Sequence, residues 1–400
     1  MEIGLVKRSL RLHGGGERQI GYLIEGLLAQ GHGVHLFSET QPPSEPPEGL
    51  THHTVPAIPT PRAFRALGFA LVVRSSLRRA GLAVVQSYDR TLGQQIYRAG
   101  EGVHREWLQR KRRSLPALAR GWSHLSLFDC VLLALERRVF GETPVIVANA
   151  QCGQDEIIHH YSVPPTRMLT IYNGVDTDRF NAGVRQRFRE AQRAVWGVSP
   201  DDLVLLGVGS GFHRKGLGRT IAALGQLHRR GSVHVRLVVV GKGRPGPYWR
   251  LARQAAVADL VRFEGHRTDV ERCYAGADLF VLPTLYDPFA NACLEAMACG
   301  LPVLTTTANG VAELIRDGIN GRVLGDTPSA ETLADALQNL LPWERRMAMG
   351  EAARRTASAY PLSRTLMHTV QLYEAVVNQS VAVYSPSPSG RRWGEGQAAR

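Results

Sequence analysis

The stretch DLFVLPTLYDPFANACLEAMACGLPVLTT, Asp278–Thr306, reads as one complete structural unit. Leu279–Leu282 is a continuous apolar run, as a strand covered on both faces requires. A loop with Asp287 and Pro288 follows, then an Ala-rich helical segment, then a second buried run at Val303–Thr306. Two such strands joined by a helix make a parallel pair with a right-handed crossover. The unit also sets two carboxylates, Asp287 and Glu295, eight positions apart across a loop-to-helix junction. Each can accept hydrogen bonds from sugar hydroxyls. The amides around Phe289, Ala290 and Asn291 are expected as unpaired donors at the helix start, facing an anionic phosphate.

The same alternation extends in both directions. GLVKRS, HGVHLFS, LAVVQS, VIVANA and MLTIYNG precede it, separated by helical patterns, and LVLLGVGS, VRLVVVG and LVRFEG lead into it. Repeated strand–helix alternation predicts an α/β protein with parallel sheets, here two Rossmann-like, doubly wound domains facing an interdomain cleft. Loss of periodicity after Asn173-Gly174 divides a first domain, residues 1–172, from a second, residues 173–360. Residues 361–380 are expected as a helix packing back on the first domain. Residues 385–400, rich in Ser, Pro and Gly, are expected to be a disordered tail.

With 44% hydrophobic and 21% charged residues in 400, the chain can bury large cores, and disorder of the whole is excluded. No apolar run approaches the roughly 20 residues of a membrane span. The start MEIGLVKRSL lacks the basic region and long apolar core of a signal peptide, so a cytoplasmic location is expected. Five cysteines without a C-x-x-C indicate neither a disulfide framework nor a zinc site. The net charge of +13 is concentrated between Arg62 and Arg138, where 15 Lys+Arg face 5 Asp+Glu, a surplus of 10. Its peak is Arg110, Lys111, Arg112 and Arg113, with Arg105 one turn earlier. Such a block either attracts phosphates or forms a solvated basic face. Trp107, Trp122, Leu125 and Phe128 are interleaved with it, which suits docking on an anionic membrane surface.

Further motifs point to phosphate. GSGFHRKG, Gly209–Gly216, follows the strand LVLLGV and opens a helix, so Arg214 and Lys215 converge with backbone amides at the carboxyl edge of a sheet, where ligands of open α/β sheets bind. An isolated R-K is more often a surface pair, but its place after a glycine-bearing strand end favours the phosphate reading. HGGGERQI supplies Gly14, Gly15 and Gly16 after the first strand without a following G-K-[ST], so it is not a Walker loop. GKGRPG fits a dinucleotide fingerprint only formally, since Pro245 and Pro247 imply a longer loop. Asp176-Thr177-Asp178 is explained better by turn chemistry than by a metal.

DPFANACLEAMACGLPVLTT resembles the E-x7-E signature of the retaining glycosyltransferases of family 4, enzymes of the GT-B fold. The likeness extends through GGGER, VIVANAQCGQDEII, IYNGVDTDRF, GSGFHRKG, VVVGKG and NGVAELIRDGINGRVL. Within the family, YRAGEGVHREWL and LFDCVLLALERRVF are similar to the lipopolysaccharide core glucosyltransferases, which add glucose from UDP-glucose to the inner heptose. The resemblance implies that Glu295 holds the nucleotide ribose and Asp287 the donor-sugar hydroxyls, although the first acid is commonly Glu. Phe289, Ala290 and Asn291 line the donor, with Ala290 where many members have Gly. Arg214 and Lys215 match the pyrophosphate pair, Gly15 and Gly16 the glycines of the cleft, and Glu313 a cleft carboxylate. His104 is either the histidine that faces the donor sugar or a loop or membrane-facing residue. Arg105 and Arg110–Arg113 are assigned to the acceptor or to the inner-membrane surface. No metal and no cofactor beyond the UDP-sugar donor are implied.

Two rivals remain at this point. One is another UDP- or GDP-sugar-dependent member of the family acting on a lipid-linked or polysaccharide acceptor. The other is a nucleic-acid binder, disfavoured because no recognised module or aromatic stacking series accompanies the charge.

Overall fold

A computed structural model describes residues 1–9, 15–40, 47–58, 61–115, 125–232 and 234–378. Gly14, Trp122 and the 385–400 tail lie outside them.

The first sheet has seven parallel strands: β1 (Glu2–Val6), β2 (Gly33–Ser38), β3 (Leu50–Thr54), β4 (Val84–Ser87), β5 (Ile96–Arg98), β6 (Val145–Ala148) and β7 (Met168–Thr170), in the order β3-β2-β1-β4-β5-β6-β7. Its helices are α1 (Gly15–Ala29), α2 (Arg65–Arg79), α3 (His104–Arg113), α4 (Leu127–Glu142) and α5 (Gln151–Tyr161). The chain then runs through α6 (Gly183–Trp196), β8 (Leu203–Val208), α7 (Leu217–Arg229), β9 (Val235–Val240), α8 (Gly246–Gln254), β10 (Val261–Gly265) and α9 (Val270–Gly276). It continues with β11 (Leu279–Leu282), α10 (Asn291–Ala298), β12 (Val303–Thr306), β13 (Gly321–Leu324), α11 (Ala330–Gln338) and α12 (Trp343–Ser358). These strands form a second parallel sheet of six, ordered β10-β9-β8-β11-β12-β13. Both orders are doubly wound, and together they make the GT-B architecture.

Alternation along the strands explains why both faces of each sheet are covered. In the second sheet Val204, Leu206, Val238, Phe280 and Leu282 pack into one core, and Leu203, Leu205, Leu237, Leu279 and Val281 into another on the opposite face. The last helix, α13 (Leu362–Val377), returns to the first domain, where Val370, Leu372 and Tyr373 join Ile3, Leu5 and Leu27 in one core. The two crossings between domains lie side by side: the Val175 amide donates to the Tyr360 carbonyl at 2.9 Å, and the Leu362 amide to the Val175 carbonyl at 3.1 Å. No helix among the described residues is long and apolar enough to cross a membrane.

Candidate active site

Strand order creates the site. The chain winds outward from β8 to β10, then returns to place β11 on the other side of β8, so the loops after β8 and β11 emerge together at the carboxyl edge. Lys215, from the first loop, therefore forms an ion pair with Asp287, from the second, 72 residues away. Backbone contacts lock the two loops: the Leu285 amide donates to the Arg214 carbonyl at 2.8 Å, as does the Thr284 hydroxyl. Gly216, at φ +76°, opens α7 where a Cβ would lie 2.0 Å from the Pro283 carbonyl oxygen, so the close approach needs glycine. Burial alone would raise the Asp287 carboxyl. The charges of Lys215 and Arg214, with hydrogen bonds from Lys215 and the Phe289 amide, outweigh it and hold the group below the usual carboxylate range. Among the described residues the Arg214 guanidinium has no recorded hydrogen bond or ion pair, leaving a cation beside an already charged pair.

Glu295 lies in the second turn of α10. Its Oε2 accepts the hydroxyl hydrogen of Tyr274 at 2.8 Å. Burial pushes its carboxyl up, only partly opposed by that hydrogen bond and by the charges of Arg18 and Arg179. Arg18 lies on α1 of the first domain, so Glu295 stands where the two domains meet. The amides expected to be unpaired are largely taken: Phe289 donates to Asp287 Oδ1 at 3.2 Å and Ala290 to Asn309 Oδ1 at 3.1 Å. Asp287 folds back on its own loop, and Asn309 reaches in from beyond β12. The Asn291 side chain accepts from Asn173 Nδ2 at 2.8 Å, linking α10 to the interdomain segment. Asp176 accepts the Arg179 amide at 3.0 Å, which is turn chemistry. Gly15 and Gly16 open α1.

On the first-domain side His104 begins α3 and places its ring on Asp129 Oδ1 at 2.9 Å, not on the donor-side acids. Asp129 itself completes a capping box with Ser126 at the start of α4. Glu136, fully buried, receives the His104 amide at 2.8 Å and pairs with Arg90 at 2.8 Å, anchoring the start of α3. Arg105, Lys111, Arg112 and Arg113 are exposed. Arg105, Lys111, Arg112 and Arg137 line, with Leu108 and Leu115, a groove of about 610 Å³ between α3 and α4. Arg110 differs from its neighbours. Its guanidinium turns inward to Glu106 at 2.6 Å and Glu156 at 3.4 Å, so its charge is compensated inside the molecule. Glu313 crosses the cleft to accept the amides of Gln151 at 2.9 Å and Cys152 at 2.6 Å, capping α5 of the first domain.

The "Glycosyltransferase Family 4" description matches residues 13–179, and "Glycosyl transferases group 1" matches residues 202–342. A D-inositol 3-phosphate glycosyltransferase of Salinispora arenicola is 30% identical over 308 residues, 71% of this chain and 68% of that protein. The chain belongs to glycosyltransferase family 4. Among its family 4 relatives, the lipopolysaccharide glucosyltransferase WaaG of Escherichia coli K12 is 28% identical over 352 residues, 87% of this chain and 92% of that one. The crystal structure of WaaG, a glycosyltransferase involved in lipopolysaccharide biosynthesis, superposes with a TM-score of 0.78 at 26% identity, covering 95% of this chain and 99% of that one. Anabaena HepE, solved with UDP-glucose, shares the fold at 17% identity and a TM-score of 0.69, covering 96% and 99%.

Family 4 motifs pointed to the acids but not to what orients them. Tyr274 was missed because it precedes Glu295 by 21 residues on another helix. In the first domain the same switch-point logic brings Lys7, after β1, within 3.3 Å of Asp89, after β4, and within 3.7 Å of Glu101. The carboxyl-edge rule applied to β1 and β4 could have found that pair.

Proposed function

We propose that this family 4 glycosyltransferase moves a hexose, glucose from UDP-glucose, onto the inner-core heptose of lipopolysaccharide, with retention and without a metal ion. The observation that carries the reading is the convergence of Arg214, Lys215 and Asp287 at the switch point of the second sheet. As the bond from the anomeric carbon to the diphosphate oxygen breaks, negative charge grows on the leaving UDP. In this reading Arg214, Lys215 and the dipole of α10 stabilise it. The acceptor oxygen attacks on the face that UDP leaves, and its proton passes to the departing diphosphate. Asp287 and Glu295 grip hydroxyls of the sugar and the ribose.

The acceptor reading draws on the likeness to WaaG over most of both chains. The cationic, apolar-floored groove between α3 and α4 suits an anionic acceptor at a membrane surface, with the protein peripheral to the inner membrane. The inositol phosphate enzymes, 30% identical over 308 residues in one case, favour a second reading in which the acceptor is a small sugar-alcohol phosphate. The deciding experiment incubates the purified protein with UDP- and GDP-sugars and EDTA, offering heptose-terminated lipopolysaccharide or inositol phosphate. Transfer of glucose from UDP-glucose to the lipopolysaccharide with retained configuration is expected. Transfer only to inositol phosphate, or only with added metal, would overturn the corresponding part of the reading.

A further inference from the structure

The proposed chemistry uses Asp287 but not the tyrosine before it. Tyr286 is 3% exposed, and its hydroxyl lies between the domains. It donates to Glu156 Oε2 at 2.8 Å and accepts the Val103 amide hydrogen at 2.7 Å. Glu156 belongs to α5 and Val103 to the loop before α3, both in the first domain. Arg110 stands behind them: it donates to Glu156 Oε1 at 3.4 Å and lies 5.6 Å from the Tyr286 ring centre. Gly102, at φ +73°, is where the first-domain loop touches the donor loop, since a Cβ there would sit 2.3 Å from the Tyr286 hydroxyl and 2.5 Å from Pro288.

Resting on the transfer reading above, we infer that Tyr286 and Glu156 are positioning residues: they clasp the Glu101–His104 loop of the first domain against the segment carrying Asp287. The clasp fixes the separation between an acceptor held by one domain and a donor held by the other, the alignment on which a two-substrate transfer depends. A phenol and a carboxylate buried without partners are both costly, so each holds the other in place.

The clasp is pH-sensitive. Burial pushes the Glu156 carboxyl up to about 7, against the pull of the Tyr286 hydroxyl and Arg110, while Glu106 and Asp155 raise it further. Cys152, a turn earlier on α5, also faces it, and His160, a turn later, is tied to Glu106 at 2.7 Å. Below that pH the carboxyl carries a proton and loses its charge toward Arg110.

The test uses the full chain with Tyr286→Phe and, separately, Glu156→Gln. Tyr286→Phe is expected to speed hydrogen exchange in peptides spanning residues 99–104 and to lower kcat about tenfold, with KM for UDP-glucose changed less than about twofold, because the donor residues lie in the second domain. Glu156→Gln keeps an acceptor for the phenol, so it is expected to retain kcat within about threefold at pH 8 and to lose the decline in kcat from pH 8 to pH 6 that is expected of the unaltered protein. Unchanged exchange, unchanged kcat, a loss confined to KM, or superimposable pH profiles would overturn the clasp. Should Tyr286→Phe melt well below the unaltered protein, the Glu156→Gln pH profile decides alone. An unaltered chain that transfers no sugar would overturn the transfer reading and the catalytic role together, while the exchange measurement would still report whether the loop is held.

Discussion

Lys215 and Asp287 meet because β8 and β11 are neighbours, and their ion pair closes the carboxyl edge of the second sheet at its switch point. Lys215→Ala is expected to lower kcat about 10²- to 10³-fold, the loss typical of one preorganised electrostatic partner. It also strands a buried carboxylate, and breaking such a pair costs about 3–5 kcal/mol of stability. Asp287→Asn should cost less in addition to Lys215→Ala than it does alone, because the two act as a unit. Steady-state kinetics and urea unfolding of the two single variants and the double variant check this.

Acid pH should separate the two acids of the signature. The Asp287 carboxyl is lowered on folding, so its contribution is present above the ordinary carboxylate range and is lost as pH falls through the folded value. Glu295 is raised, so the folded state binds the extra proton and stability falls as pH climbs above the ordinary range. Glu295→Gln is therefore expected to raise the Tm at pH 8, with the gain fading toward pH 4.5, while UDP affinity drops. Calorimetry across that range, with and without UDP, reads both effects.

Tyr274→Phe removes only the hydroxyl that holds Glu295 Oε2. A loss of about 0.5–1.5 kcal/mol in stability is expected. If Glu295 grips the ribose, UDP affinity should weaken by up to about tenfold, since each 1.4 kcal/mol is a factor of ten. Titration calorimetry with UDP tests it, and unchanged affinity would detach Tyr274 from the site.

The groove between α3 and α4 should bind anionic vesicles and release them as salt rises, each cation contributing about 1 kcal/mol near the surface. Replacing Arg105, Lys111 and Arg112 together by Ala is expected to abolish sedimentation with such vesicles. Arg110→Ala should leave it nearly intact, because that charge is already paired within the protein. Equal binding to neutral vesicles would refute the electrostatic account.

Leu372→Ala is expected to destabilise the first domain, since the residue is 1% exposed in a core with Ile3 and Leu5. A cost of about 2–5 kcal/mol follows from the cavity left behind. Urea unfolding of the variant and the unaltered chain, followed by circular dichroism, reports it.

Much of this fold could be read in the chain because parallel strands covered on both faces are unbroken apolar runs: VIVA and LFVL declare themselves. β3, LTHHT, escaped notice since it is an edge strand that is polar at every position after Leu50, and β5 because three residues are too few to show a period. The acids of the candidate site, Asp287 and Glu295, were proposed from their spacing across a loop-to-helix junction. Their partners were not: Tyr274, the inward turn of Arg110 and the capping of α5 by Glu313 depend on which segments the sheets bring together, which no local pattern encodes. The expected free amides of Phe289 and Ala290 were misjudged for the same reason, as Asn309 arrives from beyond the next strand.

The return of α13 has a consequence for biosynthesis. The first domain is made first, yet Val370, Leu372 and Tyr373 reach the ribosomal exit only after all thirteen described strands have been translated. Its interior therefore stays unfinished while the second domain is being completed, and the earliest translated half must wait for the latest helix before it can close.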